Sequence, residues 1–258
     1  MKKQFVKTSN FIAFQNAIRA VESRGAAEAG MLLVTGEAGY GKSHTVGSWA
    51  EQTGAIYLRA NQDWTPHYFM TELAKELRVD TRGPGEKLFN RLVAAMVNPG
   101  GEPTPLVIDE ADHTLHHSAA VLEKIRDFSD RLEMMVILVG MDQIQAKVSR
   151  HAQISSRIAR VVSFGAATLQ DISLTCDTLC EVKVEPALVA EILRQTGGRM
   201  REVMNAIAQV EGIALRNQIA SIGMDAIGNR PLVHDWRCRS KTATKPAASR
   251  AGQIQGGF

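Results

Sequence analysis

The sequence predicts an α/β protein in which helices sandwich a five-stranded parallel sheet, followed by a small all-α lid. Short apolar segments alternate with stretches of helical periodicity up to about residue 165, a pattern typical of strand–helix–strand units. After Phe164 only helical periodicity remains. We therefore divide the 258 residues into an α/β domain (1–165), a helical lid (166–228) and a basic tail (229–258) expected to be disordered.

The predicted strands are short, apolar and bounded by Gly, Pro or polar residues. They cover residues 31–35, 55–60, 106–109, 134–140 and 159–164. Ser9 or Asn10 is predicted to cap a helix before the first strand. In the lid, Thr168 and Pro186 mark helix starts, and Gly197 marks a helix end.

Composition restricts the class of protein. Hydrophobic residues make up 45% of the chain and charged residues 22%, which is typical of a globular protein with a sizeable core. Three widely spread cysteines do not form a disulfide framework, and no apolar run is long enough to cross a bilayer. These features predict a cytoplasmic protein with reduced cysteines and no membrane association.

The charge is distributed unevenly along the chain. The net charge is +3, yet the residues from Arg230 onward contain six Lys or Arg and only one acidic residue, Asp235. A basic tail suits a polyanion such as nucleic acid, although many soluble proteins end in a basic tail with no function.

A phosphate-binding loop follows the first predicted strand. The segment fits G-x-x-x-x-G-K-[ST] and stands between an apolar strand and a helix-compatible stretch. Its members are Gly36, Glu37, Ala38, Gly39, Tyr40, Gly41, Lys42 and Ser43. Glycines let the backbone N–H groups surround phosphates, Lys42 would neutralise the β- and γ-phosphates, and the Ser43 hydroxyl would bind Mg²⁺. The motif therefore predicts ATP and Mg²⁺ as ligands.

Two adjacent carboxylates end the third predicted strand. Asp109 and Glu110 follow the apolar run at 106–108, where ligands of parallel sheets bind. Asp109 would hold the magnesium, and Glu110 would orient and polarise the attacking water. Asp112, in contrast, is expected to begin the next helix.

These segments resemble those of the AAA+ ATPases, over about residues 1–217. Among AAA+ proteins, the sequence is most similar to the DNA-transposition regulators, namely the B protein of Mu-like phages and the TnsC/TniB-type ATPases. The segments that support this resemblance are 36–43, 106–112, 122–130, 136–140, 156–158 and 197–201.

The resemblance implies an ATPase of a bacterial host cell that is stimulated by DNA or a partner. A departure from the family at Gly140-Met141, described below, predicts weak hydrolysis by the chain alone. Such proteins bind ATP between subunits, assemble on double-stranded DNA as filaments or rings, and deliver target DNA to a transposase. By resemblance, Arg157 is the arginine finger, with Arg150 and Arg160 as competitors. Arg201 matches the lid arginine that contacts the nucleotide, and His44 would reach the α-phosphate.

DNA contacts are assigned by the same resemblance to the region around the second strand. The candidates are Arg59, Lys75, Arg78, Arg82 and Lys87, each of which has an alternative interpretation as part of a solvated helix face. One departure from the family is Gly140-Met141, where the fourth strand usually ends in a polar residue that senses the γ-phosphate. Asp142 or Gln143 would have to substitute.

Two further clusters have plain structural interpretations. His113, His116 and His117 suit an exposed helix start rather than a zinc site, and Cys176 and Cys180 suit a helix core. Two rival functions remain open: another AAA+ machine, such as a helicase loader or replication initiator, and a nucleotide-switch module without a DNA role.

Overall fold

A computed structural model describes residues 1–228 and 230–233, apart from the side chain of His117. The predicted basic tail therefore lies outside the described residues, except for 230–233. Within the described part of the chain, no helix is long and apolar enough to cross a membrane.

The predicted parallel sheet is confirmed, with the strand order β2-β3-β4-β1-β5. Its strands are β1 (Met31–Gly36), β2 (Ile56–Arg59), β3 (Leu106–Asp109), β4 (Val136–Val139) and β5 (Ile158–Phe164). Each strand lies within two residues of the predicted bounds at both ends. The order places β2 at one edge beside β3, and this neighbour relation shapes the site described below.

Helices cover both faces of the sheet. The helices of the α/β domain are α1 (Ser9–Glu22), α2 (Lys42–Thr53), α3 (Pro66–Glu76), α4 (Gly85–Ala95), α5 (His116–Leu132), α6 (Ile144–Val148) and α7 (Ala152–Ser155). One hydrophobic cluster joins the sheet to α3, α4 and α5, and another joins it to α1 and α2. β1, β3 and β4 are buried along their whole length, and burial on both faces explains why these strands are almost continuously apolar rather than alternating.

The predicted cap of α1 is wrong. Thr8 is the N-cap, and its hydroxyl accepts a hydrogen bond from the Phe11 N–H. Ser9 instead donates its N–H and its hydroxyl to the Asp171 carboxylate, each at 2.7 Å. Asn10 exchanges two hydrogen bonds with the backbone of Gly165. The two polar residues were expected to serve their own helix, but they tie it to the lid.

The lid is mainly helical, with a small addition that the sequence did not predict. Its helices are α8 (Leu169–Leu179), α9 (Pro186–Thr196), α10 (Met200–Arg216) and α11 (Met224–Ile227). Two short parallel strands, β6 (Lys183–Val184) and β7 (Ser221–Ile222), join the loops between them. The Thr168–Asp171 capping box and the Gly197 helix end are confirmed.

The lid has its own hydrophobic core. Cys176 and Cys180 are buried in it, as expected for small core residues. Leu232 is also buried there, and its N–H donates to the Gln195 side chain at 2.7 Å. The first residues of the predicted tail therefore pack against the lid.

Candidate nucleotide-binding site

A cleft of about 620 Å³ opens at the carboxyl ends of β1, β3 and β4. It lies between the start of α2 and the start of α10, so that the α/β domain and the lid both contribute. Its lining includes Ala38, Gly39, Gly41, Lys42, Ser43, His44, Asp109, Glu110, Asp112, His113, Gly140, Met141 and Arg201. The two motifs predicted from sequence therefore meet in one place.

Glycines shape the loop between β1 and α2. Gly41 caps α2 with a φ of 88°, a conformation that residues with a Cβ rarely adopt. At Gly36, a Cβ would stand 2.6 Å from the Phe164 carbonyl oxygen of the neighbouring strand. With these two positions fixed, the loop turns back on itself and presents the N-terminus of α2 to the cleft, an arrangement that favours anions.

Lys42 lies within this loop and is largely buried. Its ammonium donates to the carbonyl of Gly36 at 2.5 Å and to that of Glu37 at 2.9 Å. Burial lowers the pKa of Lys42, while the charges of Asp142, Asp109 and Asp112 act in the opposite direction. The loop thus holds a cation close to the carboxylates across the cleft.

Asp109 lies at the end of β3 with only 4% of its surface exposed. One carboxylate oxygen accepts the Glu110 N–H at 2.9 Å, and the other accepts the Tyr57 hydroxyl at 2.8 Å. Burial, together with the hydrogen bond to Asp109, raises the pKa of Tyr57. Tyr57 was not predicted as a site residue, because its strand is about 50 residues away in sequence.

Glu110 follows in a left-handed conformation with a φ of 52°, and its side chain is 43% exposed. One of its oxygens forms an ion pair with Arg59, and the other lies 3.6 Å from His113 Nε2. The hydrogen bond from Arg59 is the main cause of the lowered pKa of Glu110. Arg59, predicted for DNA contact, therefore also contacts the candidate catalytic carboxylate.

The end of β4 is held by Asp112. The Met141 N–H donates to the Asp112 carboxylate at 2.7 Å, and Lys147 Nζ lies 3.5 Å from its other oxygen. A Cβ at Gly140 would come within 2.7 Å of the same carboxylate. Asp112 lies in the first turn of a 3-10 helix (Ala111–Leu115), as expected for a residue near a helix start, but it also lines the cleft, which was not expected.

The lid contacts the loop directly. The Arg201 N–H donates to the Gly39 carbonyl at 3.1 Å, and Arg199 forms an ion pair with Glu37 at 3.0 Å. Arg201 lies in the cleft, near enough to Lys42 to oppose its protonation. The cleft therefore has cations on two sides and carboxylates on a third.

Part of the chain is similar to a known protein family. Residues 25–148 match the family model of the AAA domain. No curated protein matches the chain in sequence.

The chain resembles three solved structures, and it covers between 64% and 69% of their own chains. For the Aeropyrum pernix ORC2 protein, solved as ADPNP-ADP complexes, the identity is 14%, with 88% of this chain and 69% of that one covered and a TM-score of 0.66. For the Thermotoga maritima RuvB Holliday junction branch migration motor, the identity is 16%, 85% of this chain and 67% of that one are covered, and the TM-score is 0.58. For the Aeropyrum pernix ORC1 protein in complex with DNA, the identity is 16%, 85% of this chain and 64% of that one are covered, and the TM-score is 0.57. At these identities the likeness concerns the fold, which is that of the AAA+ P-loop proteins.

A second cavity, of about 300 Å³, adjoins the loop between β1 and α2 on the lid side. Tyr40 and His44 line it from the loop and α2, and Phe5 and Leu179 line it from the N-terminal segment and the lid. The rings of Phe5 and His44 stack with their centroids 5.7 Å apart. His44 lines both cavities, so the two spaces meet at the start of α2.

The candidates for the arginine finger and for DNA contact do not line the cleft. Arg157 forms a two-pronged pair with Asp130, at 2.8 and 3.2 Å, while Arg150 and Arg160 are exposed. The side chains of Lys75, Arg78, Arg82 and Lys87 are also exposed. Lys75 pairs with Glu72, and Arg82 pairs with Asp80.

Of the histidine cluster, two rings can be described. His113 and His116 stack with their centroids 5.9 Å apart, and His113 lines the cleft. No group of three or more His, Cys, Asp or Glu side chains suited to a metal ion occurs among the described residues.

Proposed function

We propose that this chain binds ATP with Mg²⁺ in the cleft between the AAA domain and the lid, and hydrolyses it. The observation that supports this proposal best is the convergence of Lys42 with Asp109 and Glu110 on one cleft at a helix N-terminus. A buried cation, free backbone donors and two carboxylates are the groups that phosphoryl transfer requires, because it depends mainly on positioning and charge stabilisation.

Each residue has a distinct role in this proposal. The loop N–H groups and Lys42 would bind the phosphates, and Ser43 and Asp109 would hold a Mg²⁺ ion, which would supply positive charge to the phosphate oxygens. Glu110 accepts a proton from the attacking water. Arg201, from the lid, adds positive charge beside the phosphates.

The ion pair between Arg59 and Glu110 supports weak hydrolysis by the isolated protein. A carboxylate that is hydrogen-bonded to a guanidinium is a poorer proton acceptor, since the charged form is already stabilised. A phosphate group that binds Arg59 would release Glu110. Stimulation by a polyanion is therefore expected.

We further propose that the chain is a transposition regulator: an oligomer on double-stranded DNA that selects target DNA and activates a transposase. Support comes from the sequence resemblance and from exposed cations near β2, namely Lys75, Arg78 and Arg82. Arg157 would act on the ATP of a neighbouring subunit, which requires it to leave Asp130.

A replication initiator is the second candidate. It is favoured by the similarity in fold to the Aeropyrum pernix ORC proteins, one of which was solved with DNA. A helicase loader, and a nucleotide switch without DNA, would share the same ATP site.

The deciding experiment measures DNA binding by the purified chain with ATP, with ADP and without nucleotide, at two salt concentrations. The substrates are duplexes of unrelated sequence and a single strand of equal length. Electron micrographs of the same samples report on assembly. An Arg78→Ala/Arg82→Ala double variant tests the exposed cations, with Arg216→Ala on the lid as its matched control.

The outcomes separate the candidates. ATP-dependent, salt-sensitive binding to any duplex, with regular filaments or rings, supports the regulator. Preference for one duplex sequence supports the initiator, and preference for the single strand supports the loader. Absence of DNA binding in every nucleotide state contradicts all three and leaves the nucleotide switch.

A further inference from the structure

Tyr57 lies behind the predicted magnesium ligand and belongs to no motif in the sequence. It is in the middle of β2, whose residues pair in parallel with β3, so that Tyr57 is opposite Val107 and Arg59 is opposite Asp109. From there the Tyr57 hydroxyl reaches Asp109, two residues further along the neighbouring strand, and donates to one carboxylate oxygen at 2.8 Å.

The second oxygen of Asp109 is also committed, since it accepts the Glu110 N–H at 2.9 Å. Each oxygen of this nearly buried carboxylate thus receives one hydrogen bond from the protein. The two bonds fix the plane and rotation of the carboxylate. Each oxygen keeps one lone pair that can bind a cation in the cleft.

The ring of Tyr57 is itself held in place. It packs against the hydrophobic cluster under α2, and its Cε2 atom lies 3.7 Å from the point where a Cβ on Gly47 would stand. Gly47 and Ser43 are four residues apart on α2 and therefore share one face of that helix. The tyrosine ring is fixed by the same helix that supplies the other predicted metal ligand.

We propose that Tyr57 is a positioning residue for Mg²⁺, acting through Asp109; this inference rests on the nucleotide-binding function proposed above. Carboxylates that bind metals are commonly oriented by outer hydrogen bonds, and loss of such a bond typically weakens metal affinity by about 10- to 100-fold. Without the Tyr57 hydroxyl, one oxygen of a buried carboxylate has no donor, and the side chain can rotate away from the cation.

The test uses Tyr57→Phe, which removes only the hydroxyl and keeps the ring that packs under α2. Binding of a fluorescent ATP analogue is measured without divalent metal and then over a titration with Mg²⁺. Tyr68→Phe is the matched control, since Tyr68 is exposed on α3 and does not line the cleft. Tyr57→Phe is also combined with Asp109→Asn.

We expect Tyr57→Phe to raise the Mg²⁺ concentration at half-maximal effect by about 10- to 100-fold while leaving metal-free nucleotide binding unchanged. In the Asp109→Asn background the second substitution should have little further effect, because both act on the same contact. The Tyr68→Phe control should resemble the wild type.

Two results would overturn the inference: an unchanged Mg²⁺ midpoint in Tyr57→Phe, or an equal loss of metal-free and metal-dependent binding, which indicates a purely structural role. A wild-type chain that binds no nucleotide at any Mg²⁺ concentration would instead overturn the proposed function itself. The two failures are therefore distinguishable.

Discussion

The two sides of the cleft are built in different ways. On one side, a single segment of eight consecutive residues, 36–43, lines the cleft through Ala38, Gly39, Gly41, Lys42 and Ser43. On the other side, Asp109 and Glu110 depend on partners from a neighbouring strand, Tyr57 and Arg59. The residues that form the loop side are adjacent in sequence, whereas the contacts of the carboxylate side depend on which strands are neighbours in the sheet. A substitution about 50 residues away in sequence, at Tyr57 or Arg59, can therefore alter the carboxylate side.

Glu110→Gln should give the largest effect and should affect hydrolysis alone. The amide cannot accept the water proton, so we expect ATP turnover to fall by about 10²- to 10⁴-fold, the usual contribution of a general base. Nucleotide affinity should stay close to that of the wild type. Single-turnover hydrolysis and equilibrium binding, measured on the same preparation, check both halves of this expectation. Retained turnover would assign the proton transfer to another group.

Lys42→Ala should affect binding instead. Loss of a charge-assisted hydrogen bond costs about 1.5–3 kcal/mol, so ATP affinity should fall by about 10- to 150-fold. Titration calorimetry of the variant, beside an exposed control such as Lys75→Ala, gives the comparison. Equal affinities in variant and wild type would mean that the loop binds phosphate through its backbone alone.

Arg59→Ala should raise the basal hydrolysis rate in the absence of DNA. The ion pair with Glu110 is exposed to solvent, and such pairs are weak, so the increase should be no more than about fivefold. Because Arg59 lowers the pKa of Glu110, its removal should move the acidic limb of the pH–rate profile to higher pH. Rates measured from pH 4 to 8 test this, with Arg82→Ala as the control. A shift to lower pH, or none, would contradict it.

Arg199→Ala should give the smallest effect. Its ion pair with Glu37 is exposed on both sides, and such pairs contribute about 0.2–1 kcal/mol. We expect less than about a fivefold change in ATP affinity and a small fall in melting temperature. A much larger loss of affinity would show that Arg199 itself contacts the nucleotide.

The sequence predicted the local side of the site and most of the fold, for physical reasons. The loop motif, the five parallel strands and the lid caps at Thr168 and Gly197 are set by neighbouring residues, and the structure agrees with them. The partners of Asp109 and Glu110 could not be found, because a sequence does not state which strands are neighbours. The one sequence feature that pointed to these partners is the alternation of apolar and polar residues in β2. It places Tyr57 and Arg59 on the same face of this edge strand.

One further expectation failed for the same reason, and another was incomplete. Ser9 was predicted as a cap because its hydroxyl suits that position, yet Asp171 of the lid binds it. Asp112 does lie at a helix start, as expected, but it also accepts a hydrogen bond from the Met141 N–H, which follows the neighbouring strand β4. In both cases the residue type equally allows a local interaction and a long-range one, and the sequence does not show the long-range partner.

The hydrogen bonds of Lys42 have a consequence for the kinetics of ligand entry. Its ammonium is bonded to the carbonyls of Gly36 and Glu37, so the loop has an internal cross-link that holds its curvature. The loop is therefore already ordered before a phosphate binds. The phosphate replaces the Gly36 and Glu37 carbonyls as acceptor of the Lys42 hydrogen bonds, and the loop does not have to become ordered on binding. Since little conformational entropy is lost, association should be governed by diffusion and charge, and affinity by the rate of departure.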